Sequence, residues 1–148
     1  MKNYRISFSV LGLAAVCLVM LPNLVFLFIT PPINPLNHNE AGFWLWNLLE
    51  NIGRFGMMIS LCIIVNRRPM RKNSLLDFSA LISLVIYFVL WAFYFSGITN
   101  GMMLTGMALF PSIFFLLIAW KLRNPLALSF TILFALTHIT ITASNFLF

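Results

Sequence analysis

Leu75–Ser96, LLDFSALISLVIYFVLWAFYFS, holds one charged residue, Asp77, and every position from Phe78 to Ser96 is uncharged. A run of this length matches the roughly 20 apolar residues that an α-helix needs to cross a hydrocarbon core. It lacks period-2 alternation, and in lipid only helices and closed barrels satisfy every backbone N–H and C=O. The helical reading follows. Working outward, Asn66-Arg-Arg-Pro-Met-Arg-Lys-Asn73 bounds the run on one side and the tight turn Ser96-Gly-Ile-Thr-Asn-Gly101 on the other. With charges, prolines and glycines as punctuation, the chain divides into five apolar segments: 6–29, 43–65, 75–96, 102–120 and 125–147.

The composition agrees. Of 148 residues, 61% are hydrophobic and 8% charged, against about 25% charged in a soluble domain, and the mean hydropathy is +0.99. A water-facing surface is excluded. The expected fold is all-α: a single integral membrane domain over 1–148, built as a polytopic transmembrane bundle of about five helices. The stretch from Ile6 to Ile29 is too long for a signal-peptide core and lacks a small-x-small cleavage site, so it is expected to remain as the first span. The connection Thr30-Pro-Pro-Ile-Asn-Pro-Leu-Asn-His-Asn-Glu40 has three prolines, which deny backbone donors and stop the helix.

A formal net charge of +6 resembles a nucleic-acid footprint only until the basic residues are placed. Lys2 and Arg5 precede the first segment, Arg67, Arg68, Arg71 and Lys72 follow the second, and Lys121 and Arg123 follow the fourth. The alternate connections have none, so the positive-inside rule puts the N-terminus in the cytoplasm and the C-terminus outside. Trp44 and Trp46 would mark the outer interface and Trp120 the inner one. The partner implied is a lipid bilayer and not a nucleic acid. Cys17 and Cys62 lie inside apolar runs, where neither a disulfide nor a metal site is expected. No cofactor is implied.

Several residues do not belong in lipid. Asn47, Glu50, Asn51 and Arg54 interrupt the second segment, and each intramembrane charge costs at least about 2.5–3.5 kcal/mol on insertion scales. Glu50 and Arg54 are four apart with the acid first, the favourable order for an ion pair on one helix face. They either lock helix packing or hold a ligand or proton. Gly53 and Gly56, with Ser60, offer small surfaces for a close helix contact. Asn23 follows the helix-bending Pro22, and Ser112 follows Pro111 near the middle of the fourth segment. The fifth segment carries Thr131, His138, Thr142 and Asn145 along one face, with Thr137, Thr140 and Ser144 beside it. Hydroxyls can bond back to their own helix, whereas a buried imidazole needs both a donor and an acceptor partner. At 1.5 Å per residue, Glu50 and His138 fall at similar depths, roughly 10 Å below the outer helix ends. Asn23, Glu50, Asn51, Arg54, Ser112, Thr137 and His138 are therefore the candidate ligand-binding set of an outward-leaning polar pocket. The third segment is expected to contribute mainly aromatics and to be peripheral.

The motifs Leu21-Pro22-Asn23, Glu50-Asn-Ile-Gly-Arg-Phe-Gly56, Pro111-Ser112 and Thr137-His138-Ile139 resemble the pattern of a group of small, functionally uncharacterised bacterial five-helix membrane proteins. The likeness spans nearly the whole chain and implies the architecture and the polar set, not an activity. The group has a proline before its Thr-His pair where this chain has Leu136, so a kink in the fifth helix is not implied here.

Catalytic signatures such as H-E-x-x-H, G-x-S-x-G, a P-loop or C-x-x-C are missing, and no nucleophile is fixed, which leans against an enzyme. Three function classes remain. One is a protein that binds, or helps to transport, a small polar ligand, lipid headgroup or proton. The second is an accessory subunit whose polar residues are interhelical glue, and the third is an intramembrane lipid-modifying enzyme. Five helices are few for a transporter built of repeated halves, so transport would call for a homo-oligomer or a larger membrane partner. A ligand lying between Glu50, Arg54 and His138 would favour binding, and direct closure of the three would favour glue. The topology is tested by cysteine labelling in a variant lacking Cys17 and Cys62. An impermeant reagent should label Asn37→Cys from outside and spare Asn73→Cys; labelling of position 73 from outside would overturn the orientation.

Overall fold

The computed structural model describes residues 4–148, among which five α-helices account for most of the chain. They are α1 (Val10–Phe26), α2 (Trp44–Ile63), α3 (Ser74–Phe95), α4 (Gly101–Lys121) and α5 (Pro125–Phe146). A short 3-10 helix, Pro35–His38, sits in the connection before α2. Of the five, α3, α4 and α5 are long and apolar enough to cross a membrane. The first helix, with 17 residues, spans only about 26 Å, and α2 is diluted by its polar residues. Lys2 lies outside the described residues.

Four of the five helices start where a side chain takes over an orphan N–H. Ser9 Oγ accepts from Gly12 N at 3.1 Å, Asn73 Oδ1 from Leu75 N at 3.0 Å and Asn100 Oδ1 from Met103 N at 2.9 Å. The second helix has no side-chain cap. There Asn47 instead grips the incoming chain, accepting from Ala41 N and donating to Ala41 O, both at 2.9 Å.

The first segment departs from the expected boundary. Ile6–Ser9 is not helical; β1 (Tyr4–Ile6) pairs antiparallel with β2 (Ile64–Asn66), Arg5 opposite Val65. The ladder continues beyond the strands, with Ser7 N donating to Ile63 O and Ser9 N to Cys62 O, both at 2.8 Å. The N-terminus thereby satisfies the carbonyls released at the end of α2, which the sequence pattern of one segment could not reveal.

Around the bundle the order is α1, α2, α5, α4, α3, with α1 meeting α3 and α4 only sparsely. The tightest seams rest on glycine. A Cβ at Gly12 would lie 2.0 Å from Leu61 O across the α1–α2 seam, and one at Gly53 would lie 2.6 Å from Phe134 N across the α2–α5 seam. The small-residue face expected at Gly53 and Gly56 is thus a real contact surface; Gly56 lies under the Phe130 ring. The apolar side chains point both ways. On α3, Leu84, Tyr87, Trp91 and Tyr94 are buried, while Phe78, Leu81, Val85 and Val89 form an exposed stripe, which suits contact with lipid tails and not water.

One residue knits the basic end together. Asn124 is buried, and its Oδ1 caps α5 by accepting from Ala127 N at 3.0 Å. Its Nδ2 donates to Ser60 O at 2.8 Å and to Ile64 O at 2.9 Å, closing the end of α2. It is presented by a Schellman turn: Arg123 is left-handed at φ 53°, Arg123 N bonds Trp120 O, and Asn124 N bonds Ala119 O. Asn124→Ala removes all three bonds and should cost about 2–4 kcal/mol. Asn100→Ala loses one cap and should cost about 1 kcal/mol. Unfolding of purified protein in mild detergent compares the two; equal losses would mean that Asn124 is only a local cap.

Candidate functional site

A cavity of about 350 Å³ lies inside the ring of helices, and all five contribute to its wall. Its polar centre is Glu50, which is buried about two turns into α2. Helical spacing sets Arg54 one turn further along the same face, and its Nη2 donates to Glu50 Oε1. From α5, His138 Nδ1 reaches the same oxygen at 2.8 Å. The α2–α5 seam makes this meeting possible, because Gly53 lets the backbone of Phe134 come close. Phe134 then serves as a shelf: its ring stacks on His138 at 4.8 Å between centroids, and the Arg54 guanidinium carbon lies 5.7 Å from the ring centre.

These internal bonds use one carboxylate oxygen, one imidazole nitrogen and one guanidinium nitrogen. Glu50 Oε2, His138 Nε2 and the other guanidinium N–H groups remain for the cavity. The side chains differ in access, Arg54 being 37% exposed and Glu50 only 9%, so the guanidinium is the more open member of the pair.

Across the cavity, Asn23 Nδ2 donates to Tyr87 OH at 3.0 Å and to Val19 O at 3.2 Å. The Tyr87 hydroxyl donates in turn to Val19 O at 3.1 Å. This network closes α1 against α3, where helix contact is otherwise sparse. Beside it, the buried Trp91 indole Nε1–H has no hydrogen-bond partner among the described residues, and Trp91 lines the cavity. Met57 and Met107 furnish adaptable apolar wall.

The connection between α1 and α2 lies over one end of this space, with Leu36 and Asn39 in the wall. Tyr94 OH donates to Asn34 Oδ1 at 2.7 Å and accepts from Leu36 N at 3.4 Å. Asn39 Nδ2 donates to Thr142 Oγ1 at 2.9 Å, and Asn145 Nδ2 donates to Asn39 Oδ1 at 3.0 Å. Thr142 and Asn145, near the C-terminal end of α5, are therefore occupied in holding this segment.

The sequence-derived set divides. Asn23, Glu50, Arg54 and His138 line the cavity. Asn51, Ser112 and Thr137 do not line it. Asn51 is exposed, since successive helical residues point about 100° apart and its neighbour Glu50 takes the inward direction. Ser112 and Thr137 are buried but spend their hydroxyls on their own helices, Ser112 on Ala108 O at 2.7 Å and Thr137 on Leu133 O at 2.9 Å. The third helix is not peripheral: Tyr87 and Trp91 form part of the wall. Their signal was present in the sequence, because Tyr87, Trp91 and Tyr94 at i, i+4 and i+7 place three aromatics with polar tips on one helix face.

Arg54→Ala should destabilise the protein more than Arg54→Ala with Glu50→Ala, because the single change strands a buried acid and the double removes both charges. A Glu50–His138 double-mutant cycle in detergent should show coupling above about 0.5 kcal/mol. Additive losses would mean that the two side chains do not interact in the folded protein.

No family model, no curated protein and no solved structure matches the chain, so the geometry alone carries the functional reading.

Proposed function

We propose that this chain is a small polytopic membrane protein whose central cavity binds a small polar ligand without net charge, a zwitterionic lipid headgroup included, and helps to move it. One observation carries the reading: Glu50, Arg54, His138 and the unpartnered Trp91 indole line one cavity of about 350 Å³. That volume lies near the lower end of ligand pockets, which run from about 300 to 1,000 Å³, and suits a small molecule. Glu50 and Arg54 offer opposite charges side by side, so a ligand with both signs or with hydroxyls can exchange bonds with them at no net change in buried charge. A ligand with a single net charge would leave one sign uncompensated.

In this reading all five helices cross a bacterial plasma membrane, with the N-terminus inside and the C-terminus outside. Its support is the gathering of basic connections at one end of the bundle. Arg5 sits in the ladder with β2, Asn66 Nδ2 donates to Arg123 O, and Arg71 N donates to Lys121 O. Movement of a ligand would involve a homo-oligomer or a larger membrane partner, since one copy has too few helices for two repeated halves. The likeness of the four motifs to the bacterial five-helix group belongs to the same proposal.

A second reading, an accessory subunit fastened by these residues, is favoured by the direct closure of the triad on Glu50 Oε1. Ala108 separates the two, because it lines the cavity and is itself buried. Ala108→Leu fills part of the space while leaving all three triad residues in place. Protein purified from membranes should release a small polar compound on denaturing extraction, and Ala108→Leu should release several-fold less while remaining folded. Identical extracts from a folded variant would overturn ligand binding and leave the fastening role.

A further inference from the structure

A second cavity, of about 230 Å³, opens at the basic end of the bundle and shares no lining residue with the central site. Its wall includes Tyr4, Asn66, Arg68, Arg71, Trp120 and Arg123. Three arginines thus line one concavity whose wall, among the described residues, has no carboxylate. The nearest acid on this side that forms an ion pair, Asp77, is taken by Lys121.

Topology signalling requires basic residues only near the membrane edge, in water. It does not require them to be held in place, and two of these are. Arg123 Nε donates to Pro69 O at 3.1 Å, and its own carbonyl accepts from Asn66 Nδ2 at 2.8 Å. Arg71 is held by its backbone bond to Lys121 O, and its guanidinium carbon lies 4.3 Å from the Trp120 ring centre. The Arg71 Nε–H is buried without a hydrogen-bond partner among the described residues. A buried guanidinium donor left without an acceptor is costly. Three like charges around one space add repulsion that an anion would remove.

We propose that this cavity binds a phosphate group, presented by the headgroup of an anionic phospholipid. Guanidinium forks match phosphate oxygens in pairs, and basic pockets between transmembrane helices at the cytoplasmic side suit anionic headgroups. Trp120 argues for the lipid as source. It is 48% exposed on the bundle surface while its ring carries Arg71, so the site opens at the depth where indoles meet headgroups. Leu128 extends the wall with apolar surface from the first turns of α5, beside which an acyl chain can run.

The test uses the full chain in nanodiscs of mixed phosphatidylglycerol and phosphatidylcholine, followed by native mass spectrometry of the lipids retained. Wild type should keep phosphatidylglycerol over phosphatidylcholine by about tenfold, and Arg71→Gln should abolish the preference. Arg68→Gln, at an exposed position, should weaken it several-fold and serves if Arg71→Gln does not fold. Arg67→Gln, outside the cavity wall, should leave it unchanged. Equal retention of the two lipids, or an equal loss in Arg67→Gln, would overturn the proposal in favour of diffuse surface charge. Inorganic phosphate is the second arm. Millimolar phosphate should displace the retained lipid from wild type, whereas phosphate binding without any lipid preference would overturn the lipid as the source.

Discussion

A carboxylate cannot sit alone among apolar helices, and the position of Glu50 about two turns into α2 is the constraint around which the bundle is arranged. The acid needs cationic or donor partners at its own depth. Arg54 comes from the same helix at no topological cost, but His138 must arrive on another helix, which requires α2 and α5 to touch. Contact at that depth needs a position without a side chain, and Gly53 supplies it beneath the Phe134 backbone. Once α5 is fixed there, its remaining flank is free for α4, and α3 packs outside α4. The ring then closes weakly, through Asn23 and Tyr87, and the cavity is what the closure encloses.

The two ends of the bundle solve the same backbone problem by different means. At the basic end, carbonyls freed by the end of α2 are taken by the N-terminal ladder and by Asn124, so main chain and one amide do most of the fastening. At the opposite end the proline-bearing connection supplies few donors of its own. Side chains from α3 and α5 hold it instead, through Tyr94, Thr142 and Asn145. Rigid main-chain bonding surrounds the arginine cavity, and replaceable side-chain bonding surrounds the mouth of the central one.

Helices α2 to α5 were legible to within about two residues, because charges, glycines and prolines interrupt apolar runs in a way that lipid makes unambiguous. The first helix was misjudged at its start, since Ile6–Ser9 is as apolar as a helix and its extended form depends on partners nearly sixty positions away. In the site, Glu50 with Arg54 and the isolated His138 announced themselves by the expense of burying them. Asn51, Ser112 and Thr137 are polar in sequence yet inert in space: one points outward and two bond within their own helices. Tyr87 and Trp91 are harder to read, because an aromatic in an apolar run looks like packing until its surroundings show the Tyr87 hydroxyl bonded to Val19 O and the Trp91 ring in the cavity wall.

The strap across the central cavity sets a limit on how that space is used from its own side. Releasing Asn39 alone breaks its bonds with Thr142 and Asn145, and at about 1 kcal/mol for each neutral hydrogen bond the open form would be populated at roughly one part in thirty. A molecule admitted only by that open form would bind with an apparent affinity weaker than its intrinsic affinity by the same factor. Its arrival and departure would both follow the strap's opening rate and not diffusion, so the protein would answer slowly to a rising concentration and release slowly when it fell.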